Sequence, residues 1–488
     1  MTFLVQTWGQ TWFRRLGGIG LDSPDWIRKS DPAGGSIRRP WWYFVPFEVA
    51  LFLSLSTVGR AQSTWFRLGD NRSVTAQTNT LWTKLKPRTP ALLILLCLLV
   101  ASRIPALSQS QPATDAPHGV PHDPQTDAAF DDFYNMQYDR ATAELEKILD
   151  KHPNDPFAVN HLLTVVLMHD LYDTGAMNTG DYANDSFIGR APRPTDTKIK
   201  DRIKQLARRA QDLEEQELKK NPQDVNALYC RGVTRAQFSV YTGLVERAWF
   251  SALRNAVGAR HDHEHVLELD PSYIDAKMVV GTHNYVIGRL PWSVKVAAAL
   301  AGLSGSAEKG LDYLREVAKS DGENSVDAKV VLSLFLRREH QYDEAIGYMN
   351  ELSAKFPGNH LFPTEVANLE RAAGRLDDAE AMYRKVWQNG REGKFGNLHY
   401  EISAWGLGEL LRSQKDYAGA ADAFELVSQF PNADSEILQK ANLAAGEMYD
   451  LLQKRDLAMK KYETVLAGNA NSGQADQARR YIKEAYRE

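Results

Sequence analysis

The run His261-Asp262-His263-Glu264-His265 is the densest group of side chains able to do chemistry. On a helix His261 and His265 stand four positions apart on one face, a spacing that metal sites use, while His263 points elsewhere. A closed zinc site needs further ligands, and His283 is the candidate for one. The competing reading, a solvated helix face just before Leu267-Glu268-Leu269, is the one we favour, so no metal and no other cofactor is expected. Asp181, Asp185 and the Asn residues around them suggest calcium. That segment lacks the spaced acids and terminal bidentate Glu of a helix–loop–helix calcium site. Glu246, Arg247 and Arg254 lie in one helical run with Trp249 and Phe250. A carboxylate and guanidiniums among aromatic rings suit a ligand carboxylate or chain terminus, and equally an internal pair locking an overlong helix. Trp292 belongs to the nearly uncharged run Leu290–Leu303, whose one charge is Lys295; burial between repeats fits it better than an exposed patch for a membrane or partner. The candidate ligand-contacting set is therefore Glu246, Arg247, Trp249, Arg254 and Trp292. Paired carboxylates, a nucleophile elbow and a phosphate-cradling glycine loop are absent from the sequence, which points away from an enzyme.

The elements that must position these residues repeat. Ala404, Leu407, Gly408 and Leu411 lie on one helix, Ala420, Phe424 and Val427 lie on the next, and Pro431 ends the unit. Small residues at Gly408 and Ala420 let two antiparallel helices approach, and Phe424 fills the gap to the following pair. The same register recurs at Ala445–Val465, at Val366–Val386 and at Leu332–Pro357. The anchors Gly310, Ala345, Ala379, Ala420 and Ala458 are 35, 34, 41 and 38 residues apart. Ahead of them, Ala141, Ala210 and Ala259 each precede a Pro by 12 residues (Pro153, Pro222, Pro271), an ordinary helix stop. These residues fall on the tetratricopeptide-repeat (TPR) pattern. The expected fold is all-α: a right-handed TPR-like α-solenoid over 127–488, with about eight helical hairpins and a capping helix near Ala475–Tyr486. Insertions interrupt it at 173–195 and 288–305, and 226–265 is longer than one hairpin requires.

The middle of the chain resembles an exported bacterial TPR family. The resemblance is carried by Leu244-Val245-Glu246-Arg247-Ala248-Trp249, Ala252-Leu253-Arg254, Leu267-Glu268-Leu269-Asp270-Pro271-Ser272-Tyr273, Gly288-Arg289-Leu290-Pro291-Trp292 and Gly302-Leu303-Ser304-Gly305 ahead of Lys309-Gly310-Leu311. The order Leu290-Pro291, Gly302-Leu303-Ser304-Gly305, Gly310-Leu311 also resembles, more weakly, that of eukaryotic TPR proteins of the inclusion-body-clearance type. The resemblance implies a TPR superhelix without catalytic activity and carries over no binding residue.

The chain divides by composition. Residues 1–90 hold 12 Lys and Arg against 5 Asp and Glu, whereas 91–488 hold 46 against 57. Seven of the eleven Trp lie at or before Trp82, so the two parts have different roles or histories. Lys84-Leu85-Lys86-Pro87-Arg88, the apolar run Ala91–Ala101 and the exit Ala106-Leu107-Ser108 have the order of a secretory signal peptide. Eleven apolar residues reach about 16 Å as a helix, short of the roughly 30 Å of a bilayer's hydrocarbon. Expected segments are a mis-assigned extension over 1–80, a signal peptide over 81–108 cleaved after Ser108, and a flexible tether over 109–126. Cys97 leaves with the signal, so Cys230 is the one thiol of the mature chain.

The expected function is that of an exported, periplasmic scaffold binding protein or peptide partners in its concave groove, with first-helix side chains facing the ligand. Nucleic acid is not expected as a partner, and peripheral association with a membrane is compatible with the sequence. The alternative is a small-molecule, lipid or metal site in the central 226–305 region, which an isolated deep apolar pocket there would favour.

Overall fold

The computed structural model describes residues 119–177, 195–300 and 302–488, which contain eighteen α-helices and no strand. The extension, the signal segment, most of the tether and residues 178–194 of the first insertion lie outside the described residues. Consecutive helices pair as hairpins. Hairpin 1 is α1 (Pro124–Tyr134) with α2 (Tyr138–Lys151), and hairpin 2 is α3 (Pro156–Asp173) with α4 (Thr197–Lys220). Hairpin 3 is α5 (Val225–Val240), extended by a π-turn (Tyr241–Val245), with α6 (Trp249–Leu269). In hairpin 4 the short helix α8 (Trp292–Leu300) stands between α7 (Ala276–Gly288) and α9 (Ala307–Lys319). Hairpins 5 and 6 are α10 (Ser325–Arg338) with α11 (Tyr342–Lys355) and α12 (Leu361–Ala372) with α13 (Leu376–Arg391). Hairpins 7 and 8 are α14 (Glu401–Ser413) with α15 (Tyr417–Ser428) and α16 (Ser435–Leu451) with α17 (Arg455–Ala467). The end is capped by α18 (Gly473–Lys483). Eight hairpins and a cap match the expected count.

Local chemistry accounts for the helix ends. Asp123, Asp155, Asp196, Asp224, Ser306, Asp416, Asp434 and Ser472 each accept a first-turn backbone N–H at a helix start. Ordered helix therefore begins at Pro124, ahead of the expected boundary at 127. Inside hairpins 1, 5, 6, 7 and 8 the chain reverses by one device. Met136, His340, Gly374, Lys415 and Gln453 take left-handed backbone with φ of 62, 58, 79, 64 and 59°. The next N–H bonds back five residues, from Gln137, Gln341, Arg375, Asp416 and Lys454, at 2.8 to 3.0 Å. This is the Schellman helix end. Each left-handed residue stands five positions before a fully buried alanine (Ala141, Ala345, Ala379, Ala420, Ala458), so turn and core keep one phase.

Close approach at the small positions is real. A Cβ on Gly446 would lie 2.5 Å from the Tyr462 ring, and one on Gly408 would collide with Phe424. At Gly310 the neighbour is backbone: a Cβ there would lie 2.5 Å from Tyr285 N and 2.6 Å from Gly281 O, so α9 rests directly on α7. Cys230 is buried and free. Among the described residues no helix is long and apolar enough to cross a membrane.

Candidate functional site

Antiparallel pairing sorts the connections onto two edges. Turns within hairpins lie on one, the turn edge; connections between hairpins lie on the other, the link edge. The candidate ligand residues gather on the turn edge of hairpins 3 and 4. There Tyr241 Oη donates to Glu246 at 3.0 Å, and Lys204 Nζ of α4 pairs with Glu246 at 2.6 Å. Arg247 takes left-handed backbone (φ 55°), with its guanidinium 5.6 Å from the Trp249 ring. Arg254 is exposed on α6, and Trp292 is exposed on α8.

Two expectations are corrected here. The run containing Glu246, Arg247, Trp249 and Arg254 is not one helix on the first-helix face. Arg247 breaks it, and Trp249 and Arg254 belong to the second helix of hairpin 3. The Leu290–Leu303 run is not a buried plug either. Backbone contact at Gly310 leaves no room between α7 and α9, so α8 is displaced outward, and Gly302 beyond its end takes left-handed backbone with φ 80°. Trp292 is 74% exposed and Val296 50%.

The histidines are not brought together as ligands. His261 is exposed, His265 pairs with Glu268 at 3.3 Å, and His283 Nε2 faces Arg260 Nη1 at 2.9 Å. Burial and then the Arg260 charge push the His283 pKa down to about 4, consistent with a neutral ring accepting from the guanidinium. His263 is buried against Ala259 O at 2.8 Å, and Asp262 is claimed by Arg231 at 2.6 Å and by Arg235. No group of three potential metal ligands occurs among the described residues. A surface hollow of about 620 Å³ runs along α4, lined by Lys204, Arg208 and Arg209 among other charged groups.

Hairpins 2 and 3 share a polar joint that sequence reading passed over. Asn160 Nδ2 donates to Cys230 O at 3.0 Å, and Thr234 Oγ1 lies 2.7 Å from Asn160 Oδ1 and 2.5 Å from Glu214 Oε1. Thr234 has one hydroxyl proton for these two oxygens, and an amide oxygen has none to give. A protonated Glu214 completes the chain by donating to Thr234. Burial raises the Glu214 pKa to about 7, which makes that form accessible.

The link edge is closed by hairpins 1 and 2 and by Val120 just ahead of them. Asp275, fully buried, accepts the N–H of Val120 and that of Asn324, each at 2.9 Å. His161 lies 3.0 Å from Glu323, Asn135 Oδ1 accepts from Gly358 N at 3.1 Å, and Asn359 Nδ2 donates to Tyr134 O at 2.8 Å. Tyr172 Oη accepts from His399 N at 2.8 Å and lies 3.1 Å from His360 Nε2. His399 in turn pairs with the buried Glu401 at 2.9 Å, which raises its pKa. In an open solenoid each repeat touches its neighbours alone. Here hairpins 1 and 2 meet the links of hairpins 3 to 7 across 155 to 227 positions. Helix α3 is accordingly buried on all sides, and its first-helix face is occupied by the protein itself.

Hairpins 5 to 7 keep a repeat-phased feature on their first helices. Arg337, Arg371 and Arg412 each stand three residues before the left-handed turn residue and reach the next first helix. Arg337 pairs with Glu365 at 3.5 Å, Arg371 meets Glu409 O at 3.4 Å, and Arg412 pairs with Glu447 at 2.9 Å. All three guanidinium side chains remain partly exposed. Their spacing of 34 and 41 residues repeats that of the alanine anchors, the signal by which the sequence could have disclosed them.

The chain is a TPR-like α-solenoid. Residues 191–360 match the family described as regulator of microtubule dynamics protein 1-3, a stretch running from just before α4 to the end of hairpin 5. No curated protein matches the chain by sequence. Among solved structures it is similar to the anaphase-promoting-complex assembly Cut9–Hcn1, with TM-score 0.40 and 13% identity, covering 74% of this chain. The chain spans 55% of that relative's length. Pseudomonas aeruginosa PilF gives TM-score 0.32 and 15% identity over 51% of this chain and 97% of that one. A tetratricopeptide repeat protein from Parabacteroides merdae gives 0.29 and 14% over 69% and 97%.

Proposed function

We propose that this chain is an exported, periplasmic TPR scaffold holding a protein or peptide partner on the first-helix face of hairpins 5 to 7, without catalysing a reaction. The observation that carries the reading is the row Arg337, Arg371, Arg412 on successive first helices. Guanidinium forks at repeat spacing suit the carboxylates and backbone carbonyls of an extended segment. On the neighbouring first helix Arg371 reaches a backbone carbonyl, Glu409 O at 3.4 Å, rather than a carboxylate. The frame that carries the row is braced at the link edge, so little ordering entropy opposes binding. Export rests on the order of residues 84–108.

The test is a cross-linking pulldown from envelope fractions, comparing the native chain with Arg371→Glu after both are shown by circular dichroism to be folded. Partners recovered with the native chain and missing from the variant support the reading; identical partner sets overturn it. Export is read separately, from a mature chain beginning at Gln109.

A further inference from the structure

Five large apolar side chains stand out as exposed among the described residues, and four of them lie on the turn edge of hairpins 3 and 4. They are Phe250 (60%), Val286 (42%), Trp292 (74%) and Val296 (50%). The contact between Arg260 and His283 fixes α6 and α7 as antiparallel neighbours. The first turn of α6, with Phe250, and the last turn of α7, with Val286, therefore share an end, and α8 leaves from it. Scattered exposed apolar residues are ordinary, but a concentration of this kind marks an interaction site.

Charge says what kind. From Ala276 to Ala307 the sequence contains no Asp or Glu, while Lys277, Arg289 and Lys295 are present. Of the acids near this edge, Glu339 pairs with Arg289 and Glu246 with Lys204, while Glu308 in the first turn of α9 is exposed next to the exposed Lys309. Arg254 and Lys295 remain exposed beside the apolar side chains, with Lys295 Nζ donating to the backbone carbonyl of Gly288 at 2.9 Å. A projecting helix with Trp at its start, aliphatic side chains along it and cations at its flanks has the composition of an interfacial anchor.

We infer that the turn edge of hairpins 3 and 4 docks on a bilayer containing anionic phospholipid. Trp292, Val296, Phe250 and Val286 enter the headgroup boundary, and Arg254 and Lys295 meet lipid phosphates. This edge is distinct from the first-helix row, so the scaffold would present its partner face while seated on a membrane, and either reading can fail without the other.

The test is made on the full chain carrying Cys97→Ser and Val296→Cys, labelled at position 296 with a polarity-sensitive fluorophore; Cys230 is buried and needs no change. A probe on α8 is needed because the apolar run Ala91–Ala101 could hold the chain on vesicles by itself. Vesicles of phosphatidylcholine with phosphatidylserine should shift the emission to the blue and allow quenching by nitroxide lipids, and phosphatidylcholine alone should not. Arg254→Glu and Lys295→Glu should each weaken the response about fivefold or more, and Trp292→Ser should abolish it. A probe that stays in water while the chain is bound overturns the inference, as does an equal response on neutral vesicles. A blue shift without vesicles that grows with protein concentration would mean that α8 docks a second copy, and also overturns it.

Discussion

Tyr172 Oη lies 3.1 Å from His360 Nε2, joining hairpin 2 to hairpin 6 across 188 positions of sequence. The same oxygen accepts the His399 N–H at 2.8 Å, so its own proton is free for His360. Burial pushes the His360 pKa down to about 3, so its ring is neutral, and the tautomer protonated at Nδ1 leaves Nε2 to accept the Tyr172 proton. One hydroxyl thus ties together three hairpins.

Tyr172→Phe removes that hydroxyl and leaves the His399 N–H without its acceptor. Stability should fall by about 1–3 kcal/mol. Amide exchange at His399 should quicken more than exchange in α16 or α17. A unchanged melting temperature together with unchanged exchange at His399 would mean that the link edge is not held there.

The pairing of His161 with Glu323 predicts a pH dependence. Burial lowers the His161 pKa, but the Glu323 carboxylate outweighs it and the net shift is upward. A histidine whose folded pKa exceeds its unfolded value stabilises fully below that unfolded value, about 6.5, and loses the contribution as pH rises through the folded pKa. His161→Gln keeps polarity but not the charge. Its stability deficit should be larger at pH 5.5 than at pH 8.5, as read by denaturant titration at both. A deficit independent of pH would show that the ion pair contributes nothing.

Glu214 predicts the opposite use of a buried group. Its folded pKa, about 7, lies above the ordinary 4.5, so the folded state retains a proton that the unfolded state releases, and stability falls as pH rises between these values. Glu214→Gln supplies a permanent donor to Thr234. The variant should gain about 2–3 kcal/mol relative to the native chain at pH 8 and almost nothing at pH 4. Equal effects at both pH values would refute a protonated Glu214 in the joint.

Two glycines should respond in opposite directions. Gly310→Ala forces a methyl against the backbone of α7, and should cost about 1–3 kcal/mol. Gly347, inside α11, has nothing within 4 Å of an added Cβ. Gly347→Ala should therefore stabilise by about 0.5–1 kcal/mol. Thermal melts of the two variants decide it.

The repeat architecture was legible because its determinants are local and periodic. A small residue at Ala345, Ala379, Ala420 or Ala458 and an aromatic at Tyr383, Phe424 or Tyr462 report packing against the adjacent helix, within one repeat of sequence. Helix count, hairpin pairing and the cap followed from them. The candidate site was legible in part. Glu246, Arg247, Trp249, Arg254 and Trp292 do share an edge, but a left-handed residue at Arg247 and the exclusion of α8 by Gly310 decided which faces they occupy. Neither has a periodic signature, because one is a single backbone conformation and the other a contact between two backbones. The closure of the link edge lay further from view. Asn135, His161, Tyr172 and Asp275 are common polar residues in helices and turns, and their partners stand 49 to 227 positions away. Which of them meet depends on the curvature summed over several hairpins, and only the folded chain carries out that sum.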